Sequence, residues 1–90
     1  MGFNKIIITS SPVARYQKIS VFKDGDFVEE LEVNFDTLVD TTLALAEKYQ
    51  ITSIDLSGAN VFTHKIANDL FQANATKYSV KNLVINQIGK

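Results

Sequence analysis

The chain has 90 residues with no cysteine or tryptophan and only one proline, one histidine and one methionine. Without cysteine there is no disulfide framework and no thiolate metal site, which removes the secreted mini-protein class and zinc fingers together. The single histidine, His64, has no second imidazole with which to share a transition metal. An excess of one charge sign is lacking too. Nine Lys and Arg stand against ten Asp and Glu for a net charge of -1, so the field that draws whole proteins to phosphate backbones is missing. Apolar runs stop after a few residues, as at Ile6-Ile7-Ile8, and the opening Met1-Gly2-Phe3-Asn4-Lys5 lacks the basic and apolar blocks of a signal peptide. The expectation is a cytoplasmic protein that neither follows that secretion route nor spans a membrane.

What the chain does have is apolar mass. Hydrophobic residues make up 46% of it, with six Phe and three Tyr, enough for one core in one domain over residues 1–90. Lys5 to Thr9 reads as a short strand buried on both faces, because three isoleucines run together before the turn-rich Thr9-Ser10-Ser11-Pro12. Tyr16 to Phe22 loosens into alternation and stops at Lys23-Asp24-Gly25-Asp26, where Asp-Gly suits a tight hairpin turn. Phe27, Leu31, Val33 and Phe35 keep a period of two against Glu30, Glu32 and Asn34, which predicts an antiparallel, half-buried strand at a sheet edge. The period then lengthens: Phe35, Leu38, Val39, Thr42, Leu45, Ala46 and Tyr49 mark a helix from about Asp36 to Tyr49, capped by Asn34 or Asp36. Ile51 to Ser57 alternates as a strand, and Ile66, Ala67, Leu70 and Phe71 form the stripe of a second helix, about Thr63 to Ala75, with Asn60 or Thr63 as cap. Asn82 to Ile88 closes the series as a last strand. The order βββαβαβ, with right-handed crossovers and the first strand central beside the fourth, predicts a two-layer α/β fold with a mixed five-stranded sheet and both helices on one face.

That order resembles the minimal ribonuclease H-like topology, and residues 5 to 75 are similar in spacing to a RuvC-type Holliday-junction resolvase. The likeness rests on Lys5-Ile6-Ile7-Ile8-Thr9 running into Ser10-Ser11-Pro12, on the hairpin Gln17 to Glu29 around Lys23-Asp24-Gly25-Asp26, and on Tyr49-Gln50-Ile51-Thr52-Ser53-Ile54-Asp55-Leu56-Ser57 with Phe62 beyond. The resemblance places the family's first metal-binding aspartate at Ser10 and its glutamate at Ser57, with the helix that carries its remaining acids beyond Lys90. Magnesium is held through carboxylates with waters and phosphates, and two serine hydroxyls do not replace two carboxylates in a two-metal site. A slipped alignment would put Asp55 in the glutamate's place, alone. The resemblance therefore implies a nuclease fold without nuclease chemistry, and no cofactor or metal.

The candidate binding residues follow from the same frame. Asp55 shares a pleat face with Ser53 and Ser57, and the plain reading is a solvated carboxylate on an uncovered face. Ser57-Gly58-Ala59-Asn60 joins a strand's carboxyl end to a helix, where open α/β sheets hold ligands, and Ser10 and Ser11 end the neighbouring strand. The favoured readings are an ordinary connecting loop for the first and a turn into Pro12 for the second. A Ser57, His64 and Asp55 triad can be drawn, but no nucleophile elbow surrounds Ser57. Ile54-Asp55-Leu56-Ser57-Gly58 is similar to the strand-loop of anti-sigma-antagonist domains, in which Ser57 would stand at a phosphorylatable position.

Charge is uneven along the chain. Residues 23–40 hold seven acids and one lysine, whereas residues 60–90 hold four lysines and one acid. A charged edge that blocks aggregation explains the first block, and a docking surface for a basic partner or a second copy is the functional alternative. On the uncovered face Phe22, Val28, Val84 and Ile88 should form two small apolar patches with a polar middle. The expected function is a non-catalytic interaction module, an accessory protein of viral or bacterial type, that binds a protein partner or itself as a two-fold homodimer. The alternatives are nucleic-acid binding without cleavage, through Arg15, Lys18 and the C-terminal lysines, and an anion site or small enzyme at the Ser10 and Ser57 loops.

Overall fold

A computed structural model describes residues 4–13, 15–58 and 61–86, with the side chains of 57 and 61–67 outside that description. Strand β1 (Lys5–Ser10) is followed by the hairpin β2 (Tyr16–Lys23) and β3 (Asp26–Asn34), then α1 (Phe35–Tyr49), β4 (Ser53–Gly58), α2 (Val61–Asn74), a 3-10 turn over Ala75–Tyr78 and β5 (Val84–Asn86). The strands form one mixed sheet in the order β3-β2-β1-β4-β5. β1 is central, antiparallel to β2 and parallel to β4, and β4 is parallel to β5. The elements follow one another along the chain as the sequence predicts, and the fold is α/β with a mixed five-stranded sheet and two helices. Phe62 and Ile66 fall within α2, but their side chains are outside the description, as are those of Thr63, His64 and Ala67; Asn60 and Ile88 lie outside the described residues altogether.

One parity of each strand builds the core. Ile6 and Ile8 of β1, Ile19 and Val21 of β2, and Ile54 and Leu56 of β4 are fully buried, and they share a single cluster with Leu38 and Leu43 of α1 and Phe71 of α2. Burying a side chain of this size contributes about 1.5–3 kcal/mol, so these strands hold their register: a slip of one residue would exchange the isoleucines for Lys5, Ser20 and Asp55. Gln17 and Thr42 are the buried polar side chains among the described residues, and none of the described residues pairs Gln17 Oε1 or Thr42 Oγ1.

The local signals act where the sequence places them, with three departures. Asp24 and Gly25 take φ of 55° and 85° in a two-residue turn between Lys23 and Asp26, the positive-φ geometry that Asp-Gly favours. Asn34 caps α1, its Oδ1 accepting from the Thr37 N–H at 3.1 Å. The first departure is at the end of α1, where Gln50 takes a left-handed φ of 59° and the Ile51 N–H returns to the Ala46 carbonyl at 2.9 Å. Ile51 thus belongs to a helix C-cap rather than to β4. The second is the start of β5, which begins at Val84 where the alternation predicts Asn82; positions 87 and 88 of the expected strand lie outside the described residues. The third is a bulge in β3.

Candidate functional site

The bulge is the feature that shapes the second face of the sheet. From Asn34 back to Glu29 the pairing of β3 with β2 is regular, Leu31 opposite Ile19 and Glu29 opposite Val21. The register then shifts, and Phe27 stands opposite Phe22 with Val28 as the extra residue. Strict alternation would have sent Phe27 to the parity of Leu31 and Val33. The shift carries it to that of Phe22 instead, and the two rings meet edge to face with centroids 5.7 Å apart. Phe27 is 57% exposed and Val28 40% exposed. The expectation that Phe27 belongs to the core side of β3 is therefore corrected. The signal was in the sequence as two doublets, Phe27-Val28 and Glu29-Glu30, which a single alternating strand cannot place.

The half-exposed parity of the strands can be read in rows across the sheet. At the hairpin end Phe27, Phe22 and Lys5 follow one another on β3, β2 and β1. Lys5 precedes Ile6, whose partner is Ile54, so it runs level with Ser53, and Ser53 pairs with Val84 on β5. Val84 is 53% exposed. The next row is Glu30, Ser20, Ile7, Asp55 and Asn86, and a third is Glu32, Lys18, Thr9 and Gly58. Apolar side chains thus lie at both ends of the first row, Phe22 and Phe27 at one and Val84 at the other, with a polar middle; Val28, the extra residue of the bulge, has no partner in the rows, and Ile88 lies outside the described residues.

Lys5 and Lys18 on this face each stand beside a carboxylate. Lys5 Nζ is 3.9 Å from Asp55 Oδ2, and Lys18 Nζ is 4.0 Å from Glu30 Oε2. Pairs this exposed contribute about 0–1 kcal/mol each, yet they leave the face with both signs and little net field. Asp55 is accordingly one half of an ion pair on the sheet surface. Ser10 follows the parity of Ile6 and Ile8, whereas Asp55 follows that of Ile7, so the strand pleat sends the two toward opposite sides.

The remaining loop candidates have local explanations. The Ser11 hydroxyl donates to Glu32 Oε2 and accepts from the Val13 N–H at 3.0 Å, which closes the turn after β1 and ties it to the edge strand. At Gly58 the β4 register shifts by one residue against β1, bringing it opposite Thr9. A Cβ there would lie 2.6 Å from Thr9 Cγ2, so close packing of the two strands accounts for the glycine. The Ser57 and His64 side chains are not among those described, and neither is Asn60, so the drawn triad has no geometry here. Among the described residues no group of three or more His, Cys, Asp or Glu is placed to hold a metal ion, and no helix is long and apolar enough to cross a membrane.

Comparison with protein-family models, curated proteins and solved structures gives no match for this chain. The site is read from its own geometry.

Two tyrosines that the sequence reading treated only as apolar make polar contacts on the other side of the sheet. Tyr49 Oη donates to Glu29 Oε2 at 2.5 Å, and Lys48 lies over the Tyr49 ring at 5.1 Å. Tyr78 Oη donates to Asp40 Oδ1 at 2.9 Å. Each hydrogen bond to a carboxylate raises the phenol above its usual value, helped by burial and the carboxylate's charge. The first contact ties the C-terminal end of α1 to the bulged edge strand, holding the backbone that presents Phe27.

Proposed function

We infer that this chain is a non-catalytic protein-binding module built on a ribonuclease H-like sheet, with both helices on one face and the other face left for a partner. The strand order β3-β2-β1-β4-β5 and the single core cluster shared by α1 and Phe71 of α2 support the fold half of that reading. The observation that carries the functional half is the Phe22–Phe27 pair. An edge strand interrupts its own register to place a phenylalanine 57% exposed on the sheet surface, where burial in the core was the other option. A face with an aromatic pair at one end, Val84 at the other and balanced ion pairs between fits another protein surface of mixed sign with an apolar hollow. The nucleic-acid alternative draws less support, because Lys5 and Lys18 each sit within 4.0 Å of a carboxylate that would repel phosphate.

The serines at positions 10 and 57 argue against phosphodiester cleavage, since hydroxyls are poor ligands for a paired-metal site. Incubated with magnesium and a four-way DNA junction or an RNA–DNA hybrid, the protein is expected to leave both substrates intact. Cleavage that a chelator stops and Asp55→Asn removes would overturn the reading.

A further inference from the structure

The hydrogen-bonding phase of the β3 edge can be read from its neighbours, and we propose that this edge takes an extended segment of another protein as a further strand, one in which Lys or Arg alternates with apolar residues. The inference rests on the reading of this chain as a protein-binding module and names the partner's chemistry. The Phe35 N–H donates to the Arg15 carbonyl at 3.1 Å, and the Ser11 N–H to the Tyr16 carbonyl at 3.2 Å. Along an antiparallel strand the residues that bond to one neighbour alternate with those that bond to the other. Gln17, Ile19 and Val21 therefore bond to Val33, Leu31 and Glu29, while Tyr16, Lys18 and Ser20 turn to the β1 side. On β3 this leaves the N–H and C=O of Glu30 and Glu32 pointing away from β2, and among the described residues no strand lies beyond β3. Such outward groups are the template that strand addition uses.

Side chains specify what can fill the edge. A residue hydrogen-bonded opposite Glu30 or Glu32 has its Cα about 5.5 Å away and its side chain on the same face. Opposite charges in that position stabilise and like charges destabilise, so both positions select Lys or Arg. Lys18 and Ser11 reach the two carboxylates from the inner side, and an ionised carboxylate accepts from more than one donor. Leu31 and Val33, on the other parity, are half-buried at the rim of the core. An apolar residue opposite each of them would extend that cluster over the added strand. The bulge at Val28 ends the regular ladder, which runs from Glu29 to Asn34. A second copy does not fit here, because β3 beside β3 brings carboxylates opposite carboxylates. Charges that guard the edge against itself leave it open to a basic strand.

The test is an NMR titration of the isotope-labelled full chain with the peptide Lys-Val-Lys-Val-Lys-Val, acetylated and amidated, at low salt. Saturable binding is expected, with shifts centred on Glu29 to Val33. Solvent exchange of the Glu30 and Glu32 amides should slow about tenfold at roughly nine-tenths occupancy, while Leu31 and Val33, already bonded to β2, change little. Backbone N-methylation at the peptide's lysines removes the donors opposite Glu30 and Glu32 and should abolish binding; methylation at its valines, whose N–H groups face away from β3, should not. Glu30→Lys with Glu32→Lys, both at exposed positions, should weaken the lysine peptide about tenfold or more and admit Glu-Val-Glu-Val-Glu-Val in its place. Glu47→Lys with Asp69→Lys, exposed on the helices, changes the net charge as much and should leave binding within about twofold. Thermal melts followed by circular dichroism confirm that each variant is folded. No binding of the parent peptide, equal binding of its lysine-methylated form, or unslowed exchange at Glu30 and Glu32 at saturation would overturn the proposal. A Phe27 surface that captures another protein while the edge ignores both peptides would remove the added strand and leave the reading of the open face standing.

Discussion

At Gly58 the structure leaves no room for a side chain, since a Cβ would meet Thr9 Cγ2 at 2.6 Å. Thr9 is β-branched and half-buried, so its methyl cannot simply swing aside. Gly58→Ala is expected to destabilise the fold by about 1–3 kcal/mol, as overpacking does. Thr9→Ser, which deletes the obstructing methyl, should restore part of that loss in the double variant. Urea denaturation of the four proteins checks it, and equal stabilities of the parent and Gly58→Ala would show that the strands are not in close contact. In the sequence Gly58 suits an anion loop and a close strand contact alike, because a glycine after a strand serves both purposes. What decides between them is the one-residue register shift between β1 and β4, and no pattern of residue types in a parallel pair announces it. Asp55 was legible as a polar residue on the face opposite the core; its partner Lys5 was not, because it comes from a strand far away in the chain.

At the scale of elements, the signals that worked were those with one physical cause: three consecutive isoleucines for a central strand, Asp24-Gly25 for a hairpin, Asn34 for a helix start. Those that failed involve a residue in an uncommon role. Gln50 ends α1 in a left-handed conformation usually taken by glycine, so the helix stop was hidden and Ile51 was assigned to the next strand. The bulge at Val28 moved Phe27 between faces for the same reason: a period-two pattern has no symbol for an inserted residue. The tethers of α1 give a prediction at this scale. Tyr49 and Tyr78 have raised folded-state values through their bonds to Glu29 and Asp40. The folded state therefore holds these protons more tightly than the unfolded chain does. Their stabilisation is complete below the usual tyrosine range of about 10 and is lost as pH rises through that range and beyond. The denaturation midpoint should thus fall more steeply with alkaline pH in the parent than in the Tyr49→Phe Tyr78→Phe double variant. Parallel curves for the two would show that neither contact persists in solution.

For the whole molecule, topology followed from element order because right-handed crossovers and a buried first strand leave few arrangements for βββαβαβ. The charge asymmetry between residues 23–40 and 60–90 was equally plain, and the sheet order turns it into an acidic edge at β3 opposite the edge at β5. The proposed binding face was less legible, since its rows are assembled from five separate strands and its most exposed aromatic was displaced by the bulge. The account stands on that surface being where another chain binds. Its most direct measurement is site-specific photo-crosslinking with a benzophenone amino acid placed at Phe27 in one protein and at Ala44, exposed on α1, in another. Each is irradiated both as purified protein and in cell extract. Adducts to protein from position 27, and none from position 44, are predicted: in the purified sample if the partner is a second copy, or in extract alone if it is a different protein. No adduct from position 27 in either sample, or equal yields from the two positions, would contradict the claim that this face of the sheet is the binding surface.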